Sequence, residues 1–273
     1  MLLAHLSDTH LTTGALAGRP AERFHRALAR VRALDPRPDC VVLTGDLADH
    51  GEPAEYEAAL ALLGGLDIPV HAMPGNHDHA PRMLQALAGA GHVRAAEGEP
   101  ERCYYRVDYP GLRLFCCDSS VPGRHDGELG PTQLAWLDRE LGRDPEVPAI
   151  LAMHHHPVPS GIAFMDTIML SDADDLAAVL RGHPPLTRIL TGHLHRPSAT
   201  MFAGALVSSA PQHPPPGPPR PRPPPAPGLR RRAARDPAPP PPGRVRGHPP
   251  GPGRALGAAA RMTRLAPVVS PGS

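Results

Sequence analysis

The sequence predicts an α/β layered domain over residues 1–210, followed by a Pro/Arg-rich tail over residues 211–273. Short apolar runs alternate with amphipathic stretches in the first part, as expected for strands interleaved with helices. Of the 273 residues, 41% are hydrophobic, which is enough for a substantial core. In the tail this alternation stops, and a segment so rich in proline is predicted to be disordered.

Nine apolar runs are the predicted strands, and the last two are expected to form a hairpin around Gly204. They are LLAHLS, CVVLTG, VHAMP, YYRVDY, LRLFCCD, AILAMH, TRILTG, SATMF and ALVSSA. Helices are predicted between them, for example over AERFHRALARVRAL and GPTQLAWLDREL. Both stretches repeat apolar residues at helical spacing, and the second opens with Pro131 at a favourable first-turn position.

Charge is distributed unevenly between the two parts. The first 210 residues carry 17 arginines and 26 acidic residues, whereas the tail carries 11 arginines, one acid and 21 of the 39 prolines. The formal net charge of +1 therefore indicates no class of partner. The tail has no aromatic residues to stack bases and no regular basic spacing, so we expect unspecific attraction to polyanions at most and no specific nucleic-acid binding.

The cysteines and the N-terminus predict a cytoplasmic location. None of the four cysteines forms a CxxC pair, which favours reduced core thiols over disulfides or a sulfur metal site. The first residues, MLLAHLSDTH, have no basic region and too short an apolar run for a signal peptide. No segment is apolar over the length needed to span a membrane, so no membrane partner is expected.

Five of the predicted strands end in polar motifs, namely HLSDTH, LTGDLADHG, MPGNHDH, AMHHHP and LTGHLHR. Ligands of open α/β sheets collect beyond the carboxyl ends of the strands, so these endings are expected to meet in one crevice. Side chains two residues apart on an extended strand share a face. Asp8 and His10 would therefore point in the same direction, and so would His193 and His195. Turn chemistry could explain each motif alone, but the five together predict a metal site with oxygen and nitrogen ligands.

The order of the motifs, D-x-H, GDxxxxG, GNH[DE], HHxP and GHxH, resembles the calcineurin-like metallophosphoesterase family over residues 1–210. The stretches CDSSVPGRHDGELGPTQLAWLDREL and GIAFMDTIMLSDADDLAAVL resemble its bacterial class III cyclic-nucleotide phosphodiesterase branch, which is similar to the glycerophosphodiesterases. The resemblance implies two β-sheets flanked by helices, and hydrolysis of a small phosphodiester, above all a 3′,5′-cyclic nucleotide such as cyclic AMP. The alternatives are a glycerophosphodiester or phosphomonoester substrate, or a non-enzymatic scaffold; whether the chain forms a homodimer stays open.

The resemblance also implies two transition metals, divalent or of mixed valence, and attack by a metal-bound hydroxide. Oxygen and nitrogen ligands without sulfur suit Fe, Mn, Zn or Co. The first metal would be held by Asp8, His10 and His195, the second by Asn76, His154 and His193, and Asp46 would bridge both. His77 would stabilise the transition state and protonate the leaving oxygen, with Asp78 placed to orient it.

Within HHHP the ligand is open, since His154 and His156 would share a strand face; the alignment of the motif favours His154. His155 is then expected beside the site or in a structural role. Other polar residues near the motifs are expected to be bystanders, namely His5, His71 and His79. Three further residues would line the pocket or its rim, and a packing role is equally expected for each: Asp118, Met165 and Asp166.

The tail departs from the resemblance at QHPPPG, where the family usually has Ser-Thr-x-His-Gln with a phosphate-facing histidine. Back-translating QHPPPG and reading it one base later permits Ser, Thr, any of a few residues, His and Gln in that order. A GC-rich gene read out of frame also accounts for the jump in proline and the change from acidic to basic charge. We therefore interpret residues 211–273 as a frameshifted reading, whose product would bind metal but be weakly active and poorly stable.

Overall fold

The computed structural model describes residues 1–212 and the backbone of residues 262–264. Most of the predicted disordered tail, and with it most of the predicted frameshift, lies outside the described residues. Within residues 1–212, no helix is both long and apolar enough to cross a membrane. The four cysteines are free and buried, as expected for reduced core thiols.

The nine strands that the apolar runs predict are all present, and a tenth lies in the tail. The strands are β1 (Leu2–Leu6), β2 (Cys40–Thr44), β3 (Val70–Met73), β4 (Tyr105–Tyr109), β5 (Leu112–Cys116), β6 (Ala149–Ala152), β7 (Arg188–Thr191), β8 (Ser198–Phe202), β9 (Ala205–Ser209) and β10 (Met262–Arg264). The helices are α1 (Gly18–Arg32), α2 (Pro53–Leu63), α3 (Ala80–Leu87), α4 (Gly130–Arg143), α5 (Ala163–Asp166) and α6 (Ala173–Arg181). A capping box of Glu52 and Glu55 fixes the start of α2 by satisfying backbone N–H groups that have no partner within the helix.

The strands form two sheets, with the orders β10-β1-β2-β3 and β4-β5-β6-β7-β9-β8. In the first sheet β1, β2 and β3 are parallel, and in the second β5, β6, β7 and β9 are parallel. The edge strands β4, β8 and β10 pair antiparallel with their neighbours. The strand β10 differs from the expectation of a tail without regular structure: it pairs with the backbone groups that β1 would otherwise leave free as an edge.

Side-chain alternation along the second sheet divides the core into two layers. Leu114 of β5 packs with the apolar residues of the first sheet and of α1, α2 and α3, whereas Phe115 packs with α4 and α6 on the opposite face. The same alternation separates Ile150 from Leu151 in β6. The fold is therefore the predicted sandwich of two sheets flanked by helices, with the parallel strands of both sheets covered on both faces.

Candidate metal centre

The candidate ligands lie in the loops that follow β1, β2, β3, β6 and β7, and the backbone of most of these loops turns sharply. Five ligand positions have left-handed backbone angles, although none is a glycine. They are Asp8 (φ 56°), His10 (φ 44°), Asp46 (φ 50°), His193 (φ 66°) and His195 (φ 53°). Among the other non-glycine residues that the structure describes, Ala203 alone shares this conformation, so backbone strain is concentrated at the site.

The paired side chains come together for a different reason from the extended strand that the sequence suggested. The strand β1 ends at Leu6, and β7 ends at Thr191, so neither pair of ligands lies on an extended strand. The side chains meet because the loops turn, and glycines allow the loops to pack. A Cβ on Gly75 would collide with Asp46, and a Cβ on Gly192 would collide with a neighbouring serine hydroxyl, which explains the glycines of the GNH and GHxH motifs.

Three ligand candidates form what we call the inner group: Asn76, His154 and His193. The Nε2 atom of His154 lies 3.1 Å from Asn76 Oδ1 and 3.1 Å from His193 Nδ1. Their other ring nitrogens are donors, since His154 Nδ1 donates to the Thr44 carbonyl at 2.8 Å and His193 Nε2 to the Ile168 carbonyl at 3.0 Å. Two neutral rings would set lone pairs against each other, so the inner group requires a positive charge, either a proton or a metal ion.

Three further candidates form the outer group: Asp8, His10 and His195. The Nε2 atoms of His10 and His195 are 3.1 Å apart, and His195 Nε2 lies 3.4 Å from Asp8 Oδ1. His10 Nδ1 donates to Asp49 Oδ1 at 3.0 Å, so its Nε2 again faces the group as a lone pair when the ring is neutral. Asp8 Oδ2 is buried and accepts no hydrogen bond from the described residues, which suits a carboxylate oxygen that binds a cation.

Asp46 lies between the two groups. Its Oδ2 atom is 3.4 Å from His154 Nε2 in the inner group and 3.6 Å from His10 Nε2 in the outer group. Burial raises the pKa of the Asp46 carboxyl, but the imidazoles of His154 and His10 outweigh burial and hold the pKa below its usual range. Burial likewise lowers the pKa of His154, but Asp46 raises it to about 9, so the buried carboxylate favours positive charge at this point. Nitrogen and oxygen donors in this arrangement fit a pair of transition metals.

The three consecutive histidines after β6 face different surroundings. His154 lies in the inner group, whereas His156 points to Asp166, with 3.8 Å between its Nε2 and Asp166 Oδ1. His155 Nδ1 pairs with the Ser119 hydroxyl at 2.8 Å and its Nε2 donates to the His125 carbonyl at 3.1 Å. Both ring nitrogens of His155 are therefore engaged, although its ring lies near His154.

His77 lies beside the site. Its ring is hydrogen-bonded to Asp49, whereas the sequence predicted Asp78 as its partner. His77 Nδ1 donates to the Asp49 carbonyl at 2.9 Å, and its ring meets His10 edge-on with centroids 4.7 Å apart. Asp78 instead accepts hydrogen bonds from the Leu47, Ala48 and Gly75 backbone and from the Tyr56 hydroxyl. Burial, with a contribution from Asp46, raises the pKa of Asp78 to about 6. Asp78 therefore links the loops that follow β2 and β3, and none of the hydrogen bonds described for its carboxylate goes to the His77 ring.

The expected bystanders all have partners away from the ligands. His5 pairs with Thr44 Oγ1 at 2.9 Å, His71 with the Tyr109 hydroxyl at 2.6 Å, and His79 caps α3. Of the expected pocket residues, Met165 lines the cleft at the ligands and Asp118 a second cleft, whereas Asp166 binds the backbone of Ser160 and Gly161.

Two clefts meet at Asn76 and His77. The cleft that contains Asp46, His193 and His195, which we call the ligand cleft, has a volume of about 450 Å³ and a wall of apolar side chains. The second cleft is larger, about 840 Å³, and carries acidic side chains on its border.

Comparisons with known proteins agree with this geometry. The family model for calcineurin-like phosphoesterases matches residues 1–197. The chain is 34% identical over 215 residues to the glycerophosphodiester phosphodiesterase GpdQ of Enterobacter lignolyticus, with 77% of each chain covered. It is 39% identical over 215 residues to a Rhodococcus erythropolis protein named "Probable cyclic nucleotide phosphodiesterase", with 76% of this chain and 69% of that one covered.

A solved structure shows the same fold at low sequence identity. The dimetal phosphatase from Danio rerio superposes with a TM-score of 0.59 at 18% identity, covering 77% of this chain and 87% of that chain. The chain therefore belongs to the calcineurin-like phosphoesterase family and is a metal-dependent phosphoester hydrolase.

Proposed function

We propose that the chain is a dinuclear-metal phosphodiesterase that hydrolyses small phosphodiesters, above all 3′,5′-cyclic nucleotides such as cyclic AMP. The observation that carries the proposal is the shared carboxylate: Asp46 Oδ2 faces both the inner and the outer group of nitrogen and oxygen donors. The relative from Rhodococcus erythropolis, named for cyclic nucleotides, supports the substrate class.

In this proposal the outer group with Asp46 holds one metal, and the inner group with Asp46 holds the other. Two bound metals would lower the pKa of a water molecule and neutralise charge on the phosphoryl oxygens. Asp46 fixes the separation of the two groups because one carboxylate serves both. The Thr44 and Ile168 carbonyls fix the two inner rings, so that His154 Nε2 and His193 Nδ1 face each other at 3.1 Å and His154 Nε2 also faces Asp46.

His77 is proposed to give a proton to the leaving oxygen. The Asp49 carbonyl accepts from Nδ1 and fixes the ring. His77 borders both clefts, and Nε2 is the ring nitrogen left to hold the proton at the substrate. His77→Ala should keep both metals and lower turnover of poor leaving groups by about 10²–10⁴-fold, the usual contribution of such a group.

The measurement compares alkyl with nitrophenyl phosphodiesters, together with the metal content of the variant. Activated nitrophenyl esters need little protonation and should lose much less activity than the alkyl esters. An equal loss for both leaving groups would remove the proton-donor role from His77.

The function is tested by supplying the metal-free protein with manganese and comparing three substrates: cyclic AMP, glycerophosphoethanolamine and nitrophenyl phosphate. We expect no turnover without metal and the highest kcat/KM for cyclic AMP once manganese is added. Preference for glycerophosphoethanolamine would move the assignment to the second candidate, which the 34% identity to GpdQ favours. A protein that binds no transition metal and gains no activity would instead be a scaffold.

The interpretation of residues 211–273 as a frameshifted reading stays a proposal and bears on the activity expected. It predicts weak turnover, because a phosphate-facing histidine would be lost while the seven ligands remain. Resequencing the gene around codon 211 tests it. A confirmed reading frame, together with an early stop in the shifted frame, would contradict it.

A further inference from the structure

The lining of the ligand cleft falls into two chemical classes. The polar residues include Asp46, His77 and His195. The apolar residues form what we call the apolar wall: Ile162, Phe164, Met165 and Ile168 from α5 and the residues that flank it, and Leu194 from the loop after β7. A phosphodiester held by the polar residues would place one of its organic groups in the same cleft as this wall.

The apolar wall is exposed where a soluble surface is usually polar. Phe164 is 70% exposed and Ile162 is 37% exposed. Only two other large hydrophobic side chains among the described residues are comparably exposed, Leu16 and Met201. Scattered exposed apolar residues need no explanation, but two at the border of one cleft, next to metal-binding groups, indicate a site that an apolar group covers.

The backbone of the wall is fixed by hydrogen bonds, one of which reaches the site. Asp166, at the end of α5, accepts from the Ser160 backbone N–H at 2.6 Å and from the Gly161 N–H at 3.1 Å. The Ile168 carbonyl accepts from His193 Nε2 at 3.0 Å, which links the wall directly to the inner group. The backbone that carries the wall is thus positioned relative to the candidate ligands before a substrate binds.

The second cleft offers a different surface. Glu99 and Glu101 lie on its border together with Arg102, so the carboxylates outnumber the guanidinium and disfavour an anionic substrate. A glycerol group also lacks the planar apolar face that an exposed phenyl ring accepts. A nucleobase has such a face, and bases stack on aromatic side chains with little dependence on their identity.

We propose that Phe164, with Ile162 beside it, is the platform on which the heterocyclic base of a nucleotide substrate stacks while the phosphodiester lies at the metal centre. This inference rests on the proposed function and specifies the group that selects the substrate. Phe164 makes no contact with the reacting atoms, so its contribution falls on substrate binding.

The first test compares Phe164→Ala with Met201→Ala, a matched change of an exposed apolar residue on β8 outside the cleft. With manganese-loaded full-length protein, Phe164→Ala should raise the KM for cyclic AMP roughly ten-fold, within the range for loss of one base-stacking contact. Its kcat should change less than about two-fold, because the interaction is made equally before and during reaction. Phe164→Trp should retain the wild-type KM.

A substrate without a base separates stacking from general damage. The methyl riboside 3′,5′-cyclic phosphate keeps the reacting ring of cyclic AMP and lacks its base. Phe164→Ala and the wild type should hydrolyse it with equal kcat/KM. An unchanged KM for cyclic AMP, or an equal loss on both substrates, would overturn the platform.

A second readout needs no activity. In metal-free protein, saturation-transfer NMR should show contact to the adenine protons of cyclic AMP in the wild type and in Met201→Ala. Phe164→Ala should lose most of this signal. If the wild type hydrolyses no phosphodiester, the proposed function fails, and the NMR comparison still decides the platform: equal signals in wild type and Phe164→Ala would reject it.

Discussion

The inner and outer groups each place three side chains around Asp46, but these side chains are positioned in different ways. The outer group adds a second carboxylate, Asp8, and its His195 side chain is 40% exposed. The inner group adds the neutral Asn76, and its His154 side chain is fully buried and fixed by a backbone carbonyl. We therefore expect the outer group to attract a metal ion mainly through its charge, and the inner group to bind one mainly through its fixed side-chain geometry.

This difference predicts unequal metal affinities. Attraction between a cation and its site grows with the number of negative ligands, so the outer group should bind the first metal. The inner metal then faces fewer negative ligands and should act more strongly as a Lewis acid on the phosphate.

The largest effect is expected at the residue that both groups share. Asp46→Asn removes the one charge that the inner and outer groups share. Both proposed metals should then be lost, and hydrolysis should fall by more than about 100-fold, the upper figure for residues that only support a ligand. Metal content per chain and turnover of bis(nitrophenyl) phosphate measure this. A variant with near wild-type turnover would end the dinuclear interpretation.

The next effect separates the histidines of HHHP. His154→Ala should lose the inner metal and most activity, while His156→Ala, a matched change two residues away, should keep two metals. The reason is that His154 Nε2 faces Asn76 and Asp46, whereas His156 faces Asp166. Metal content after dialysis decides it, and the reverse pattern would make His156 the ligand.

A titration of the metal-free protein with manganese compares the two groups directly. The wild type should bind one manganese ion tightly, at the outer group, and a second ion more weakly, at the inner group. Asn76→Ala should remove the weaker step, and Asp8→Asn should abolish or weaken the tight one. Loss of the tight step in Asn76→Ala would show that geometry outweighs charge, contrary to our expectation.

The smallest effect tests a residue behind the outer group. Asp49→Asn should weaken the tight step by about 10–100-fold, because Asp49 Oδ1 accepts from His10 Nδ1 and so fixes the ring. The His77 ring should keep its place, since it is held by the Asp49 backbone carbonyl. An unchanged affinity would remove the support role of this carboxylate.

The sequence predicted the strands and the convergence of their polar endings, because apolar runs and parallel topology determine where loops meet. It did not identify Asp49, which stands three residues after Asp46 in GDLADHG. The loop after β2 turns sharply at Asp46 and brings the Asp49 carboxylate to His10 and the Asp49 carbonyl to His77, and residue spacing does not encode that turn. The ligand roles of the seven residues stay predictions until metal content is measured.

Apart from Met165, which was expected at the pocket or its rim, the apolar wall could not be predicted for a related reason. The helix α5 has four residues, too few for a helical repeat to be recognised in sequence. An isolated phenylalanine in a loop-like stretch is indistinguishable from a core residue until its exposure is known. The edge pairing of β10 was equally hidden, since it depends on a distant strand.

If the five left-handed positions bind metal as proposed, the stability of the protein would depend on its supply of metal. Such conformations cost about 1–3 kcal/mol each when nothing compensates for them. Ions that bind only the folded arrangement supply that compensation and shift the folding equilibrium in proportion to their free concentration. A cell that runs short of metal would thus hold fewer intact copies of this protein, so metal scarcity would limit its abundance as well as its catalysis.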